Sequence, residues 1–228
     1  MRYTVRHGVA IIREPERGLP LFLALLVLLV FVLPALGLEG SNERLYGDIA
    51  TSLMLMSGVV VASAGRRMFF LTLLMAIAAL GTRLAAWFVP PGALGIWPPL
   101  VSGVAVLLFS LVILAQVVRP GQVTLARVLG AIAVYLLLGI GWANAYQIAE
   151  HFFPGSFVST IAQPVSLNDW VYFSFLTLTT VGYGDIVPVH RVARSLAIGE
   201  ALTGQLYIAV LLARLVSLEV SSRNRSTG

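Results

Sequence analysis

The stretch Thr177-Leu178-Thr179-Thr180-Val181-Gly182-Tyr183-Gly184-Asp185 decides how this chain folds. Two glycines alternate with larger residues near its end, so this part cannot continue a helix. Upstream, Ser166 and Asp169 form the Ser-x-x-Asp pattern of a capping box, which predicts the start of a helix. A helix from this cap to about Thr179 has about 13 residues and a length of about 20 Å, which is too short to cross a bilayer.

The composition places this short helix in a membrane protein. Hydrophobic residues make up 58% of the 228 residues and charged residues only 11%, against about half and about a quarter in soluble domains. The net charge of +5 is the difference between 15 arginines, with no lysine, and 10 acidic residues. These arginines are scattered between apolar runs and form no basic face, so nucleic acid is not an expected partner.

Six apolar runs are long enough to span a bilayer. They cover about residues 19–38, 46–64, 68–88, 97–118, 124–150 and 192–218. Residues 151–165 are predicted to be an extracellular loop, after which the short helix and its glycine-rich continuation lie between spans five and six. Irregular backbone at membrane depth is tolerated only where it lines a cavity inside protein. The sequence therefore predicts an all-α membrane protein with a re-entrant loop.

The arginines also predict the orientation of the chain. They concentrate in the N-terminal segment, in alternate joints and near the C-terminus: Arg2, Arg6, Arg13, Arg17, Arg66, Arg67, Arg119, Arg127, Arg223 and Arg225. By the positive-inside rule, both termini are expected in the cytoplasm of a multi-pass protein. An all-arginine basic complement favours a bacterial source, and so the bacterial inner membrane.

Residues Thr180 to Gly184 resemble the selectivity filter of the potassium channel family, whose core Thr-Val-Gly-Tyr-Gly is complete here. The resemblance implies that K⁺ is held by the backbone carbonyls of Thr180, Val181, Gly182, Tyr183 and Gly184. Glycine reaches positive φ without steric cost, which helps successive carbonyls face one axis. Asp185 is expected at the outer mouth, where its charge would raise the local cation concentration.

The same resemblance assigns roles around the filter. Val181 and Tyr183 are expected to turn their side chains away from the pore axis, with Trp170, Tyr172 and Phe173 as candidate backing. A ring of carbonyls needs several copies of the chain, and the family number of four implies a homotetramer surrounded by membrane lipid.

The last span resembles the inner helix of the family. By an ungapped count from Asp185, Gly204 falls at the hinge position of these channels. In that register Gln205, Ile208 and Leu212 line the cavity, and Leu212, Val216 and Val220 narrow at the inner mouth. A stripe facing lipid or core has the same spacing and stays open as the alternative. Glu200, within this span, is either a modulatory charge behind the filter or a structural carboxyl bonded to Ser174 or Thr177.

We divide the chain into residues 1–118, a four-helix region resembling a voltage sensor, and residues 119–228, the pore domain. Voltage-gated relatives carry a basic residue at every third position of the fourth span, whereas residues 97–118 contain none. We therefore expect weak voltage dependence. About ten residues follow the last span, so a ligand-sensing domain would belong to a separate regulatory subunit.

The predicted function is passive, potassium-selective conduction. The alternatives are a weakly selective cation channel, a non-conducting scaffold or regulatory subunit that keeps the filter fold, and a gradient-coupled transporter. The sequence contains no enzyme motif, and no organic cofactor is expected; K⁺ in the filter is the transported ion.

Overall fold

A computed structural model describes residues 15–36, 41–61, 66–90, 93–119, 123–160 and 165–226 of the chain. Its helices are α1 (Pro15–Val27), a π-helical segment (Leu28–Val32), α2 (Leu33–Ala35), α3 (Ser41–Val61), α4 (Arg66–Phe88), α5 (Trp97–Val117), α6 (Leu125–Phe152), α7 (Leu167–Leu178) and α8 (Arg191–Ser226). Two short strands, β1 (Phe157–Ser159) and β2 (Ile186–Pro188), flank α7 along the sequence. The fold class, an all-α membrane protein, is confirmed.

Five helical segments in the described residues are long and apolar enough to cross a membrane. They cover Gly18–Ala35, Met68–Phe88, Trp97–Val117, Leu125–Phe152 and Arg191–Ser217. The predicted second span corresponds to α3, a 21-residue helix that begins with the polar sequence Ser41-Asn42-Glu43-Arg44 and is not among the five. The count of six spans therefore stays a prediction. Arg2, Arg6 and Arg13, on which the predicted orientation partly depends, lie outside the described residues.

The first span is helical from Pro15 to Ala35 but changes its hydrogen-bond pattern in the middle. Leu33 donates its backbone N–H to the carbonyl of Leu28, five residues earlier. The next residue, Pro34, has no N–H, so the ordinary bond from residue 34 to the carbonyl of Val30 cannot form. A π-helical segment before a proline accommodates this missing donor.

Part of the predicted extracellular loop, residues 151–165, has regular secondary structure. Outer helix α6 continues to Phe152, and β1 then pairs antiparallel with β2, with Val158 opposite Val187. Glu150 accepts the backbone N–H groups of Gly155 (2.8 Å) and Ser156 (3.0 Å), which fixes the turn between α6 and β1. Helix α8 also continues past the predicted last span, through the polar residues after 218, to Ser226.

Two of the four N-terminal helical spans, α1 and α5, pack directly on the outer helix α6 of the same chain, and α3 and α4 pack on these two spans and on each other. Helix α5 lies along α6, and α1 contacts both α3 and α6. One hydrophobic core joins Phe22 of α1, Phe109 of α5 and Leu137 of α6, all with no exposed surface. The ring of Phe31 also lies 6.1 Å from the ring of Phe175 on α7. The first span therefore reaches the short helix α7 through this ring contact, while α7 packs mainly on α6 and α8.

Candidate ion-conducting site

The short helix α7 starts at the predicted capping box. Ser166 Oγ accepts the N–H of Asp169 (3.2 Å), and a carboxylate oxygen of Asp169 accepts the N–H of Ser166 (2.8 Å). Each bond satisfies an amide that the first helical turn leaves without a partner. The helix has 12 residues, close to the predicted 13, and ends at Leu178.

The backbone after α7 adopts positive φ at every second residue. The φ angles are +61° at Thr180, +54° at Gly182 and +82° at Gly184. Glycine adopts this conformation freely, whereas a β-branched residue such as threonine is strained there by about 1–2 kcal/mol. Alternation in the sign of φ lets successive carbonyls face the same side of the chain, as a row of cation-binding oxygens requires. The positive φ of Thr180 has no signal in the sequence.

The amides of this segment are engaged by the end of α7. Thr180 donates its N–H to the carbonyl of Thr177 (3.0 Å). The N–H groups of Val181 and Gly182 both donate to the carbonyl of Leu176, at 2.9 and 3.2 Å. We call residues Thr180–Gly184 the filter loop. Because three consecutive N–H groups of this loop donate to α7, its backbone carbonyls are the groups that can bind an ion.

The outer end of the filter loop is fixed through Asp185. Its carboxylate accepts the hydroxyl of Tyr172 (2.5 Å) and the N–H of Ile186 (3.0 Å), and its backbone carbonyl accepts the N–H of Thr160 (2.9 Å). The hydrogen bond to Asp185 raises the pKa of Tyr172 to about 12. Asp185 therefore joins the filter loop to α7 and to the end of β1, besides placing a carboxylate at the outer mouth.

The three predicted aromatic residues of α7 lie in two different environments. Trp170 and Phe173 are buried in a cluster with Tyr146 of α6 and Phe157 of β1, with ring centroids 4.9–6.5 Å apart. Trp170 and Phe173 thus hold α7 against α6 and β1, and their role behind the filter loop stays a prediction. Tyr172, the third candidate, is the one that bonds to the end of the loop, through Asp185. In the single chain the side chains of Val181 and Tyr183 are exposed.

The inner helix α8 contacts the end of α7 at Gly204, the predicted hinge. A Cβ atom at Gly204 would overlap the carbonyl oxygen of Leu178 and lie 3.0 Å from its carbonyl carbon. Helix α8 is continuous through this position. The glycine is therefore required for close packing, whatever it contributes to bending. The predicted cavity and gate residues are all exposed in the single chain: Gln205, Ile208, Leu212, Val216 and Val220.

Glu200 lies in the environment expected for a structural carboxyl rather than for a modulatory charge. Its side chain is fully buried and contacts the hydroxyls of Ser174 and Tyr146. Ser174 was a predicted partner; Tyr146, which is 54 residues away in sequence, was not.

These features define a class of protein: an all-α membrane protein in which a short re-entrant helix presents a loop of backbone carbonyls between two long helices. Residues 124–220 match the family described as ion channel. Over this part the chain is similar to potassium channels, and the resemblance found in the sequence is confirmed.

Three relatives show the extent of this match. The chain is 40% identical over 82 residues to Protein LctB of Geobacillus stearothermophilus, covering 34% of this chain and 60% of the relative. It is 43% identical over 49 residues to the inward rectifier potassium channel Kirbac3.1 of Paramagnetospirillum magnetotacticum, covering 22% and 17%. It is 34% identical over 83 residues to two pore potassium channel c of Oryza sativa subsp. japonica, covering 36% and 17%.

In each of these relatives the match spans less than two thirds of the relative's length. No solved structure matches the chain.

Proposed function

We propose that this protein is a potassium-selective channel that conducts K⁺ passively through a pore formed by four identical chains. The observation that carries the proposal is the alternating positive φ of Thr180, Gly182 and Gly184, together with amides directed into α7. This backbone offers carbonyl oxygens in series, which replace the hydration shell of a cation. The transported ion would be held by the carbonyls of Thr180–Gly184.

The exposed surface of the single chain supports an assembly. The side chain of Tyr183 is 74% exposed and that of Leu212 is 61% exposed. In an assembly around a central axis, apolar surfaces like these either contact further copies of the chain or face the axis. We assign the cavity and gate roles to Gln205, Ile208, Leu212 and Val216 on the same basis. We assign no catalytic reaction, and we place both termini on the cytoplasmic side of a bacterial inner membrane.

The first test measures current through purified protein in lipid bilayers under bi-ionic K⁺/Na⁺ conditions. A reversal potential near that of K⁺ alone is expected. Equal permeability to both ions would favour the weakly selective channel, and saturable, stoichiometric flux would favour a transporter. No K⁺ flux, with no K⁺ binding by calorimetry, would support the scaffold interpretation.

Gly184→Ala tests the filter loop directly, and Gly155→Ala is its matched control. Both glycines have strongly positive φ, +82° and +79°, and in both cases a Cβ would enter open space in the single chain. The backbone strain added by alanine is therefore similar at the two sites, but Gly155 lies in the turn before β1. Gly184→Ala is expected to abolish the preference for K⁺ over Na⁺, and Gly155→Ala to preserve it. Unchanged ion ratios in Gly184→Ala contradict the proposal.

Weak voltage dependence is the expected gating behaviour. Helix α5, the fourth span in the six-span plan, has no basic residue between Trp97 and Val117. Steep voltage dependence uses about 3–4 gating charges per subunit, each worth about 2.3 kcal/mol per 100 mV. The slope of open probability against voltage should therefore correspond to less than about one charge per subunit. A steep slope would require a charge-moving element other than α5.

A further inference from the structure

The side chain of Glu200 is buried where three helices meet. Glu200 belongs to α8, Tyr146 to α6 and Ser174 to α7, and none of the three has exposed surface. The site lies inside the membrane-spanning part of α8. A carboxyl group in this position is costly unless its charge is neutralised or paired.

Four oxygen-bearing groups follow one another through this junction. The hydroxyl of Tyr146 bonds to Oε2 of Glu200. Oε1 of Glu200 lies 2.5 Å from Oγ of Ser174, and the same Oγ lies 2.7 Å from the carbonyl oxygen of Gly139 on α6. In the part of the chain that the structure describes, these hydroxyls are the polar contacts of Glu200, and they include no arginine.

The number of available protons decides whether Glu200 is ionised or protonated in this row of contacts. Three contacts in series need three protons, while Tyr146 and Ser174 supply one each. With Glu200 ionised, one of the two short contacts of Ser174 joins two oxygens without a proton between them. With Glu200 protonated, every contact is a hydrogen bond. Tyr146 then donates to Oε2, the Oε1 hydroxyl donates to Ser174, and Ser174 donates to Gly139.

The surroundings favour the same state. An ionised carboxylate inside a membrane protein requires a cation or several strong donors, and a neutral acid requires much less. We propose that Glu200 is held as a neutral carboxylic acid that donates its proton to Ser174, and that this hydrogen-bonded chain positions α7 between the outer and inner helices. Its effect on conduction rests on the proposed function, since Glu200 touches no ion and acts through α7.

The row of hydrogen bonds from Tyr146 to Gly139 lies close to the filter loop in sequence. Ser174 lies two residues before Leu176, whose carbonyl accepts the N–H groups of Val181 and Gly182. A shift of α7 at Ser174 therefore moves the acceptor that orients the filter amides. Buried polar chains are either fully satisfied or destabilising, so loss of one member should displace the helix.

The functional test compares three variants with a matched control. Glu200→Gln keeps a donor toward Ser174 and an acceptor toward Tyr146, and should hold the K⁺/Na⁺ permeability ratio within about threefold of wild type. Glu200→Ala and Ser174→Ala should each lower that ratio about tenfold. The control is Tyr207→Phe, which removes a 2.7 Å hydroxyl bond from α8 to the carbonyl of Ala131 on α6 without touching α7. Its ratio should not change, even if its thermal stability falls.

Infrared difference spectroscopy tests the protonation state without current. Wild type should show the C=O stretching band of a buried carboxylic acid, and this band should be absent from Glu200→Gln and retained in Tyr207→Phe. Absence of the band from wild type overturns the inference, as does a ratio in Glu200→Gln as low as in Ser174→Ala. If Glu200→Ala does not assemble, Ser174→Ala carries the comparison. A wild type that shows the band but no K⁺ preference contradicts the proposed function and leaves the protonated acid established.

Discussion

The pore domain, residues 119–228, and the four N-terminal spans differ in the side-chain hydrogen bonds found within each of them. In the pore domain, side-chain hydrogen bonds connect separate elements, as from Ser174 on α7 to Gly139 on α6 and from Tyr207 on α8 to Ala131 on α6. In α3, α4 and α5, the hydroxyls of Ser57, Thr82 and Ser110 bond to carbonyls of their own helices, 2.8–2.9 Å away. Hydrogen bonds within a helix satisfy polar groups but do not fix how helices meet.

This difference has a functional meaning. The carbonyls of a filter must keep their positions to within fractions of an ångström, and directional bonds between elements provide this. Of the N-terminal spans, α1 and α5 contact α6, mainly through apolar side chains, which tolerate substitution when volume is kept. Gln116, whose amide lies 3.4 Å from the carbonyl of Val61, is a described exception that joins two of these spans. We expect substitutions to have larger effects in the pore part.

The largest expected effect comes from adding one methyl group to a glycine in each region. Alanine at Gly204 would overlap the carbonyl oxygen of Leu178, and backbone cannot move as a flexible side chain does. We expect Gly204→Ala to destabilise the protein by about 1–3 kcal/mol and to lower K⁺ selectivity. Gly81 lies in the interior of α4, where a Cβ would meet no neighbouring atom within 4 Å. Gly81→Ala should be neutral or stabilise by about 0.5–1 kcal/mol.

Thermal unfolding in detergent measures the stability of both glycine variants, and bi-ionic recordings measure their K⁺ selectivity. The recordings also separate close packing at Gly204 from a hinge. A hinge predicts an altered open probability with normal stability and selectivity, whereas close packing predicts loss of both. Equal melting temperatures for the two variants would remove the proposed contrast between the regions.

Local sequence patterns predicted the features that depend on neighbouring residues. The capping box of Ser166 and Asp169, and the length of α7, follow from residues within one or two helical turns. The bond from Tyr146 to Glu200 and the contact of Gly204 with Leu178 depend on tertiary packing, and no spacing in the sequence indicates them. The positive φ of Thr180 was missed for a different reason, since intrinsic preference opposes it and only the surrounding structure imposes it.

The smallest expected effect is at the outer mouth, where Tyr172 donates to Asp185 across 2.5 Å. Tyr172→Phe should change the K⁺/Na⁺ permeability ratio by about twofold, because the bond is solvent-accessible and its energy is screened. Thr82→Val, which removes a hydroxyl bonded within α4, is the control from the N-terminal spans and should change nothing.

The pH dependence of this bond has a definite sign. The bond raises the pKa of Tyr172 from 10.0 to about 12. Its contribution is therefore complete below pH 10, and it is lost as the pH rises from 10 toward about 12. The difference between wild type and Tyr172→Phe should be constant from neutral pH to 10 and then disappear. A difference that disappears below pH 10 would mean that another group, not the Tyr172 hydroxyl, carries the link between α7 and Asp185.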